Sequence, residues 1–140
     1  NNNPDSINSN QLIEWQNEGA IEWWGHHDDM PAVLKKIDIV CLPTYREGLP
    51  KALLEAASAG LPIVTTNVPG CREVVDDNIN GYLVAPKDSN TLIEPLSRLI
   101  KSKKLRLTMG KLGREKVINN LSSDIIDKQN IDLYLNLKKL

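Results

Sequence analysis

Three short apolar runs constrain the fold of this chain more strongly than any other feature of its sequence. They cover residues 37–42, 62–66 and 81–84, and proline, glycine or polar residues lie close to the ends of each run. The first run is almost wholly apolar, and it and the second are typical of strands that are covered on both faces in a parallel sheet, whereas the third is a brief strand. We therefore predict a sheet of mainly parallel strands.

Segments with helical patterns separate these runs and follow the last of them. The short helices are predicted over residues 11–18, 30–36, 50–59 and 71–76. Further along the chain, a helix is predicted over residues 110–119, and Ser123 caps a last helix within residues 122–140. Strands that alternate with helices over short links predict an α/β fold, and we expect a single domain over residues 1–140.

Two segments carry more specific expectations. Residues 21–25 form a short β-type run, in which Trp23 and Trp24 point to opposite faces, so that one of the two indoles should be buried. A helical pattern begins near residue 88, and Pro95 lies inside it. Because proline lacks the N–H that a helix interior needs, Pro95 should kink or shorten this helix.

The charge balance excludes nucleic acid as a partner of the chain as a whole. The sequence has 17 Lys and Arg residues against 18 Asp and Glu residues, which gives a formal net charge of −1. Wrapping nucleic acid requires a basic field that this balance does not supply. Basic residues gather over residues 98–116. Such a run is usually a solvated helical face, but it could also contact anionic lipid headgroups as a peripheral membrane surface.

The sequence predicts neither secretion nor a metal site. No stretch resembles a signal peptide, and no run of about 18 apolar residues could span a bilayer. Two cysteines, Cys41 and Cys71, are too few for a disulfide framework or a zinc site. We therefore expect a cytoplasmic location and no metal.

The loops that follow the strands are the candidate ligand-binding segments, because ligands bind beyond the carboxyl ends of the strands in such sheets. They cover residues 25–29, 44–49 and 67–71. In the middle loop, Gly48 allows a ligand to approach the backbone closely. The helix that starts at Pro50 presents unpaired N–H groups and the positive end of its dipole to the same place. An anionic group such as a diphosphate would bind there.

Two carboxylates flank this turn. Glu47 lies in the loop, and Glu55 lies roughly 7–8 Å along the helix from its start, at ~1.5 Å per residue. If both face the cleft, they could accept hydrogen bonds from hydroxyls at the two ends of an extended ligand, such as a nucleotide sugar. The alternative is that Glu47 is a solvated loop charge and that Glu55 lies on an exposed helix face.

Residues 47–64 closely resemble the signature of the retaining glycosyltransferases of family 4. Its hallmark is two glutamates separated by seven residues, here Glu47 and Glu55, followed by a helix end of small residues, Gly-x-Pro and an apolar strand. The flanking segments are similar to the same family, in particular to bacterial enzymes that build capsule, O-antigen and lipopolysaccharide. These segments are residues 25–31, 42–50, 68–75 and 80–86, and the resemblance as a whole covers roughly residues 11–118.

This resemblance implies a GT-B fold, in which two Rossmann-like domains face each other across a cleft. The chain would be most of the C-terminal, donor-binding domain, with its first strands and the N-terminal domain missing. The implied reaction moves a hexose or N-acetylhexosamine from a nucleotide diphosphate sugar, with a UDP-sugar favoured, to a lipid-linked glycan acceptor such as one carried on a polyprenyl lipid. No cofactor or metal is expected, and the fragment alone should be inactive.

The resemblance also assigns roles to individual residues. Glu47 would be the catalytic residue beside the anomeric end of the donor hexose, and Glu55 would accept hydrogen bonds from the ribose. The remaining donor-binding residues would be Gly48, Leu49 and Lys51 near the sugar and phosphates, and Gly25 and His26 at the base. Arg46 could also touch phosphate and Glu73 could line the donor pocket, although a surface ion pair and hydrogen bonds to loop amides are the respective alternatives.

Three features depart from the family pattern. Pro50 stands where many relatives carry glycine, His27 stands where similar sequences often have arginine, and the phosphate-binding Arg and Lys would precede residue 1. Two other functions stay open: a GT-B sugar-nucleotide epimerase, which needs no acceptor, and a non-catalytic nucleotide-binding domain.

Overall fold

A computed structural model describes residues 7–137 of the chain. The chain forms two compact units, Asn1–Val33 and Leu34–Leu140. The predicted assignment of residues 1–140 to a single domain stays a prediction, and each unit is described by itself.

In the first unit, the helix α1 (Ser9–Asn17) starts two residues earlier than predicted. The side chain of Asn8 caps it by accepting a hydrogen bond of 2.9 Å from the Asn10 amide. The next helix, α2 (Met30–Leu34), has Pro31 in its first turn, and the Asp29 carboxylate accepts a hydrogen bond of 3.1 Å from the Ala32 amide. The starts of α1 and α2 are therefore both capped by the side chain of the residue just before the helix.

The predicted strand over residues 21–25 is wrong, because this segment has neither helix nor strand structure. The Trp23 amide donates a hydrogen bond of 3.2 Å to the side chain of Gln16 in α1 instead of to a neighbouring strand. Both indoles are exposed, Trp23 by 48% and Trp24 by 43%, so the prediction that one is buried is also wrong. An alternating pattern specifies the two faces of a strand, but it does not supply the hydrogen-bonding neighbour that a strand requires.

The second unit contains a parallel sheet whose strands are β1 (Val40–Leu42), β2 (Ile63–Thr66) and β3 (Gly81–Val84). They pair in the order β1-β2-β3, with Val40 beside Ile63 and Ile63 beside Gly81. The crossover from β1 to β2 contains α3 (Lys51–Ser58), and the crossover from β2 to β3 contains α4 (Pro69–Val74). This arrangement confirms the predicted α/β fold with a parallel sheet flanked by helices.

After a turn over residues 85–88, most of the described chain that follows β3 is helical. A 3-10 helix (Ser89–Leu92) runs into α5 (Ile93–Lys101), followed by α6 (Lys103–Asn120) and α7 (Ser123–Leu137). Pro95 lies in the first turn of α5, where no N–H donor is needed, so it marks the beginning of a helix rather than a kink inside one. The helix α6 starts at Lys103 rather than at the predicted residue 110, because Ser102 caps it. The end of the predicted last helix, residues 138–140, lies outside the described residues.

The core lies on both faces of the sheet because consecutive residues of β2 point in opposite directions. Ile63 packs with the buried residues of α3 and α4, whereas Val64 packs with Tyr82, Leu99 and Met109. All four residues of β2 are buried, as predicted, including Thr65 and Thr66. The prediction that the first run is a strand covered on both faces is wrong, because only Val40–Leu42 of residues 37–42 form a strand and Cys41 in it is exposed. No helix in the described part of the chain is long and apolar enough to cross a membrane.

Several residues of the basic segment 98–116 bind within the protein. The Arg106 guanidinium donates hydrogen bonds to the carbonyls of Leu99 and Ile100 and lies 3.4 Å from the Asp38 carboxylate. Arg114 donates to the carbonyl of Ser58, and Lys116 pairs with Asp76 at 2.9 Å. The predicted solvated face therefore contains basic residues that join α6 to other elements.

Candidate functional site

The candidate site lies at the carboxyl edge of the sheet, where the loops that follow the three strands come together. Residues 43–50 connect β1 to α3, and residues 67–68 connect β2 to α4. The turn over residues 85–88 follows β3. All three segments belong to the second unit.

Hydrogen bonds between threonines attach the loop after β1 to β2. The Thr44 amide donates a bond of 3.0 Å to the Thr66 hydroxyl, and this hydroxyl donates to the Thr44 carbonyl. The Thr44 hydroxyl in turn donates a bond of 3.2 Å to Oε1 of Glu47. Glu47 is half-buried, and its carboxylate is thus oriented by a side chain that the sheet itself fixes.

The loop also packs directly against the start of α4. A Cβ atom at Gly70 would lie 2.6 Å from the Glu47 carbonyl oxygen and would overlap the Gly48 carbonyl. Only glycine permits this approach of two backbones. By contrast, a Cβ at Gly48 would have no atom within 4 Å, so this part of the loop faces open space, as expected where a ligand approaches the backbone.

The helix α3 begins at the same place. Pro50 is its N-cap residue and has no side-chain cap, and its carbonyl accepts hydrogen bonds from the amides of Leu53 and Leu54. The amides of Lys51 and Ala52 have no acceptor among residues 7–137. Two N–H donors and the positive end of the helix dipole therefore lie at this edge of the sheet, and the binding of an anion there stays a prediction.

Glu55 lies one turn into α3 and pairs with Lys51 at 3.4 Å. The Glu55 side chain is 31% exposed, whereas that of Lys51 is 88% exposed. Glu55 is therefore neither the fully exposed charge of the alternative interpretation nor a buried one. Its role and that of Lys51 in binding a donor stay predictions.

The other predicted residues of the second unit lie on the surface. Arg46, Leu49 and Glu73 are exposed, and Glu73 has no hydrogen bond or ion pair with any described side chain. The structure thus brings Glu47 and Gly48 together with the starts of α3 and α4. Within residues 7–137, it gives the side chains of Arg46 and Glu73 no hydrogen bond or ion pair.

The predicted base-binding residues belong to the first unit. Gly25 adopts a positive φ of 70°, and Nε2 of His26 lies 3.1 Å from the Asp28 carboxylate. The His27 ring meets the Trp24 ring edge-on, with centroids 6.4 Å apart. Contacts of these residues with a nucleotide base stay predictions.

Sequence reasoning missed three residues that shape the site: Thr44, Gly70 and Lys87. The Lys87 ammonium lies 6.0 Å from the centroid of the Tyr45 ring, and Lys87 has a positive φ of 65°. The proline before Lys87 indicates a turn there, but neither its handedness nor the contact with Tyr45 can be read from the local pattern. Among the residues described, no group of three His, Cys, Asp or Glu side chains could hold a metal ion.

The sequence also matches a known protein family over the residues that form this site. The sequence model described as "Glycosyl transferases group 1" matches residues 9–116. The chain belongs to this glycosyltransferase family. The match includes Glu47, Glu55 and the three strands, and it confirms the family that the two-glutamate signature indicated.

Curated members of the glycosyltransferase family include bacterial relatives. One, from Campylobacter jejuni, is N,N'-diacetylbacillosaminyl-diphospho-undecaprenol alpha-1,3-N-acetylgalactosaminyltransferase. It is 32% identical over 122 residues, which cover 87% of this chain and 32% of that protein. Another, from Escherichia coli, is UDP-Gal:alpha-D-GlcNAc-diphosphoundecaprenol alpha-1,3-galactosyltransferase, 35% identical over 114 residues, or 81% of this chain and 29% of that protein.

The fold is shared with known glycosyltransferase structures. Sucrose-phosphate synthase from Thermosynechococcus elongatus superimposes with a TM-score of 0.83 at 26% identity, over 93% of this chain and 33% of that one. The structural neighbours are GT-B glycosyltransferases, and the chain fits the C-terminal domain of that fold. The chain therefore spans about a third of the length of the relatives it matches.

Proposed function

We propose that the protein containing this chain is a retaining glycosyltransferase of cell-surface polysaccharide biosynthesis, and that the chain is its donor-binding part. The reaction moves a hexose or N-acetylhexosamine from a nucleotide diphosphate sugar, with a UDP-sugar favoured, to a glycan acceptor carried on a polyprenyl lipid. The names of the two bacterial relatives, which include diphospho-undecaprenol acceptors and in one case UDP-Gal, support this choice.

One observation carries the proposal. The Glu47 carboxylate is held by Thr44 at the sheet edge, next to the open backbone of Gly48 and the start of α3. A fixed carboxylate there stabilises the positive charge that develops at an anomeric carbon as its bond to the diphosphate breaks. The N–H groups at the start of α3 stabilise the departing diphosphate. With the carboxylate opposite the anomeric carbon and the N–H groups opposite the diphosphate, the proposed reaction needs no bound metal or other cofactor.

Location and partners belong to the same proposal. The enzyme works in the cytoplasm at the inner face of the membrane, where a polyprenyl-linked acceptor is available. The exposed lysines of α5 and α6, such as Lys101 and Lys104, are available for peripheral contact with anionic headgroups. An N-terminal domain of the same protein supplies the acceptor side of the cleft.

Replacing Glu47 by glutamine in the full-length enzyme tests the catalytic assignment. Glu47→Gln preserves the shape of the side chain and leaves an amide oxygen that can accept from Thr44, but it removes the negative charge. We expect turnover to fall by at least about 100-fold, with the affinity for UDP retained. Product formation is measured with the donor and a lipid-linked acceptor. A wild-type rate of transfer by the Glu47→Gln variant would exclude Glu47 as the catalytic residue. Conversion of the donor sugar to a stereoisomer by the unaltered enzyme, with no acceptor present, would instead indicate an epimerase.

Replacing Glu55 by alanine tests donor binding. We expect Glu55→Ala to weaken the binding of the nucleotide about 10-fold, because a charged acceptor of ribose hydroxyls is lost. Isothermal calorimetry with UDP measures this change. The matched control is Glu115→Ala, which removes the same type of ion pair (Lys111 to Glu115, 3.8 Å) from α6. Equal UDP affinities of the wild type and both variants would exclude Glu55 as the residue that binds the ribose, and would count against this chain as the donor-binding part.

A further inference from the structure

Lys87 occupies a backbone conformation that normally belongs to glycine. Its φ is 65°, in the left-handed region, and Pro86 precedes it. Proline followed by a residue of positive φ is the sequence of a type II turn, in which glycine is strongly favoured at the second central position. A lysine there costs conformational free energy, and such residues cluster at functional sites.

The Lys87 side chain reaches the loop that carries Glu47. Its ammonium lies 6.0 Å from the centroid of the Tyr45 ring, within the range of a cation–π contact. Tyr45 is 74% exposed and is two residues from Glu47. No carboxylate of residues 7–137 forms an ion pair with Lys87. The ammonium thus lies near the face of an exposed aromatic ring, and no described carboxylate pairs with it.

We propose that Lys87, held over Tyr45, binds a phosphate group of a substrate at the mouth of the Glu47 site. This inference rests on the proposed function, in which the donor and the lipid-linked acceptor both carry phosphate. An ammonium is a compact point charge with three N–H donors, which suits phosphate in either substrate. The donor diphosphate already has the N–H groups at the start of α3, so Lys87 adds a second, separate anion contact.

The same geometry has a purely structural alternative, in which Lys87 and Tyr45 only hold the loop in place. The two roles differ in what they change. A phosphate ligand contributes to the KM of one substrate and makes that KM sensitive to salt, because screening weakens an exposed charge contact. A loop support contributes to stability or kcat and to no particular substrate.

The decisive variant is Lys87→Gly in the full-length enzyme, because glycine removes the ammonium and also relieves the left-handed backbone. The matched control is Asn78→Gly, at the other described non-glycine residue of positive φ, 60°. We expect both variants to melt at the same or a higher temperature than the wild type. Only Lys87→Gly should raise a KM, by about fivefold, and flatten its dependence on NaCl. Lys87→Arg, which keeps the charge, should remain close to the wild type.

The substrate whose KM rises in the Lys87→Gly variant is the one whose phosphate group Lys87 binds. An increase in the acceptor KM alone assigns Lys87 to the acceptor, and an increase in the donor KM together with weaker UDP binding assigns it to the donor. Unchanged KM values for both substrates, or a loss of kcat alone, would overturn the proposal. If the enzyme shows no transfer, calorimetry with inorganic pyrophosphate decides, since Lys87→Gly should weaken its binding relative to Asn78→Gly. The Glu55→Ala result bears on the proposed function separately.

Discussion

The position of the Glu47 carboxylate depends on small neighbouring residues rather than on a dedicated charged partner. Thr44 and Thr66 use one hydroxyl each to join the loop to β2 and to orient the carboxylate. Gly70 contributes by having no side chain, which allows α4 to start against the loop backbone. The geometry of the acid is therefore set by two strands and a helix, and a change at any of these positions should move it.

Gly70→Ala tests this dependence. The added methyl group would overlap the Gly48 carbonyl, so the loop or α4 must shift. We expect the free energy of unfolding to fall by about 1–3 kcal/mol and turnover of the full-length enzyme to fall with it. Urea denaturation measures the first effect. Gly48→Ala is the control for stability, because its methyl group would enter open space. Equal stabilities of the two variants would contradict the close packing of the loop.

At the scale of elements, the crossing of α6 over the end of α3 depends on another close backbone contact. A Cβ at Gly110 in α6 would overlap the carbonyl of Gly60, which follows α3 at a positive φ of 76°. At Gly113, one turn later in the same helix, a Cβ would meet the Ala57 side chain at 3.8 Å, an ordinary contact distance. The close backbone contact therefore requires glycine at position 110, whereas position 113 has room for a methyl group.

These two positions predict opposite effects of the same substitution. Gly113→Ala should raise the free energy of unfolding by about 0.5–1 kcal/mol, because alanine has the higher helix propensity. Gly110→Ala should lower it by about 1–3 kcal/mol, because the helices must separate. Thermal and urea unfolding of the two variants measure the difference directly. A stabilised Gly110→Ala variant would show that α6 does not pack on Gly60 as described.

At the scale of the whole molecule, the sequence predicts the elements whose pattern is local. The runs that contain β1, β2 and β3 can be recognised from their own residues, although β1 takes up only Val40–Leu42 of its run, and the two-glutamate signature is contiguous. The failures have a different origin. Residues 21–25 have the alternation of a strand, but a strand exists only when another segment pairs with it, and the pattern does not reveal that partner.

The residues of the site that were missed depend on contacts distant in sequence. Gly70 matters because of the Gly48 carbonyl, and Lys87 matters because of the Tyr45 ring. Neither contact is visible in a periodic pattern of the sequence, since each joins two segments that only the fold of the sheet brings together. Pro95 shows the same limit within one element: its sequence position indicates a disturbed helix, but only the change from a 3-10 helix to α5 shows that the disturbance is a start.

The strand order has a consequence for how the chain is made. In β1-β2-β3 the spatial order is the order of synthesis, so β2 and β3 each emerge from the ribosome after the strand with which they pair. Every pairing closes over a single crossover of one helix, which keeps the loops that must be ordered at each step short. These three described strands can therefore pair during translation one after another, and within residues 7–137 neither pair has to wait for a later segment.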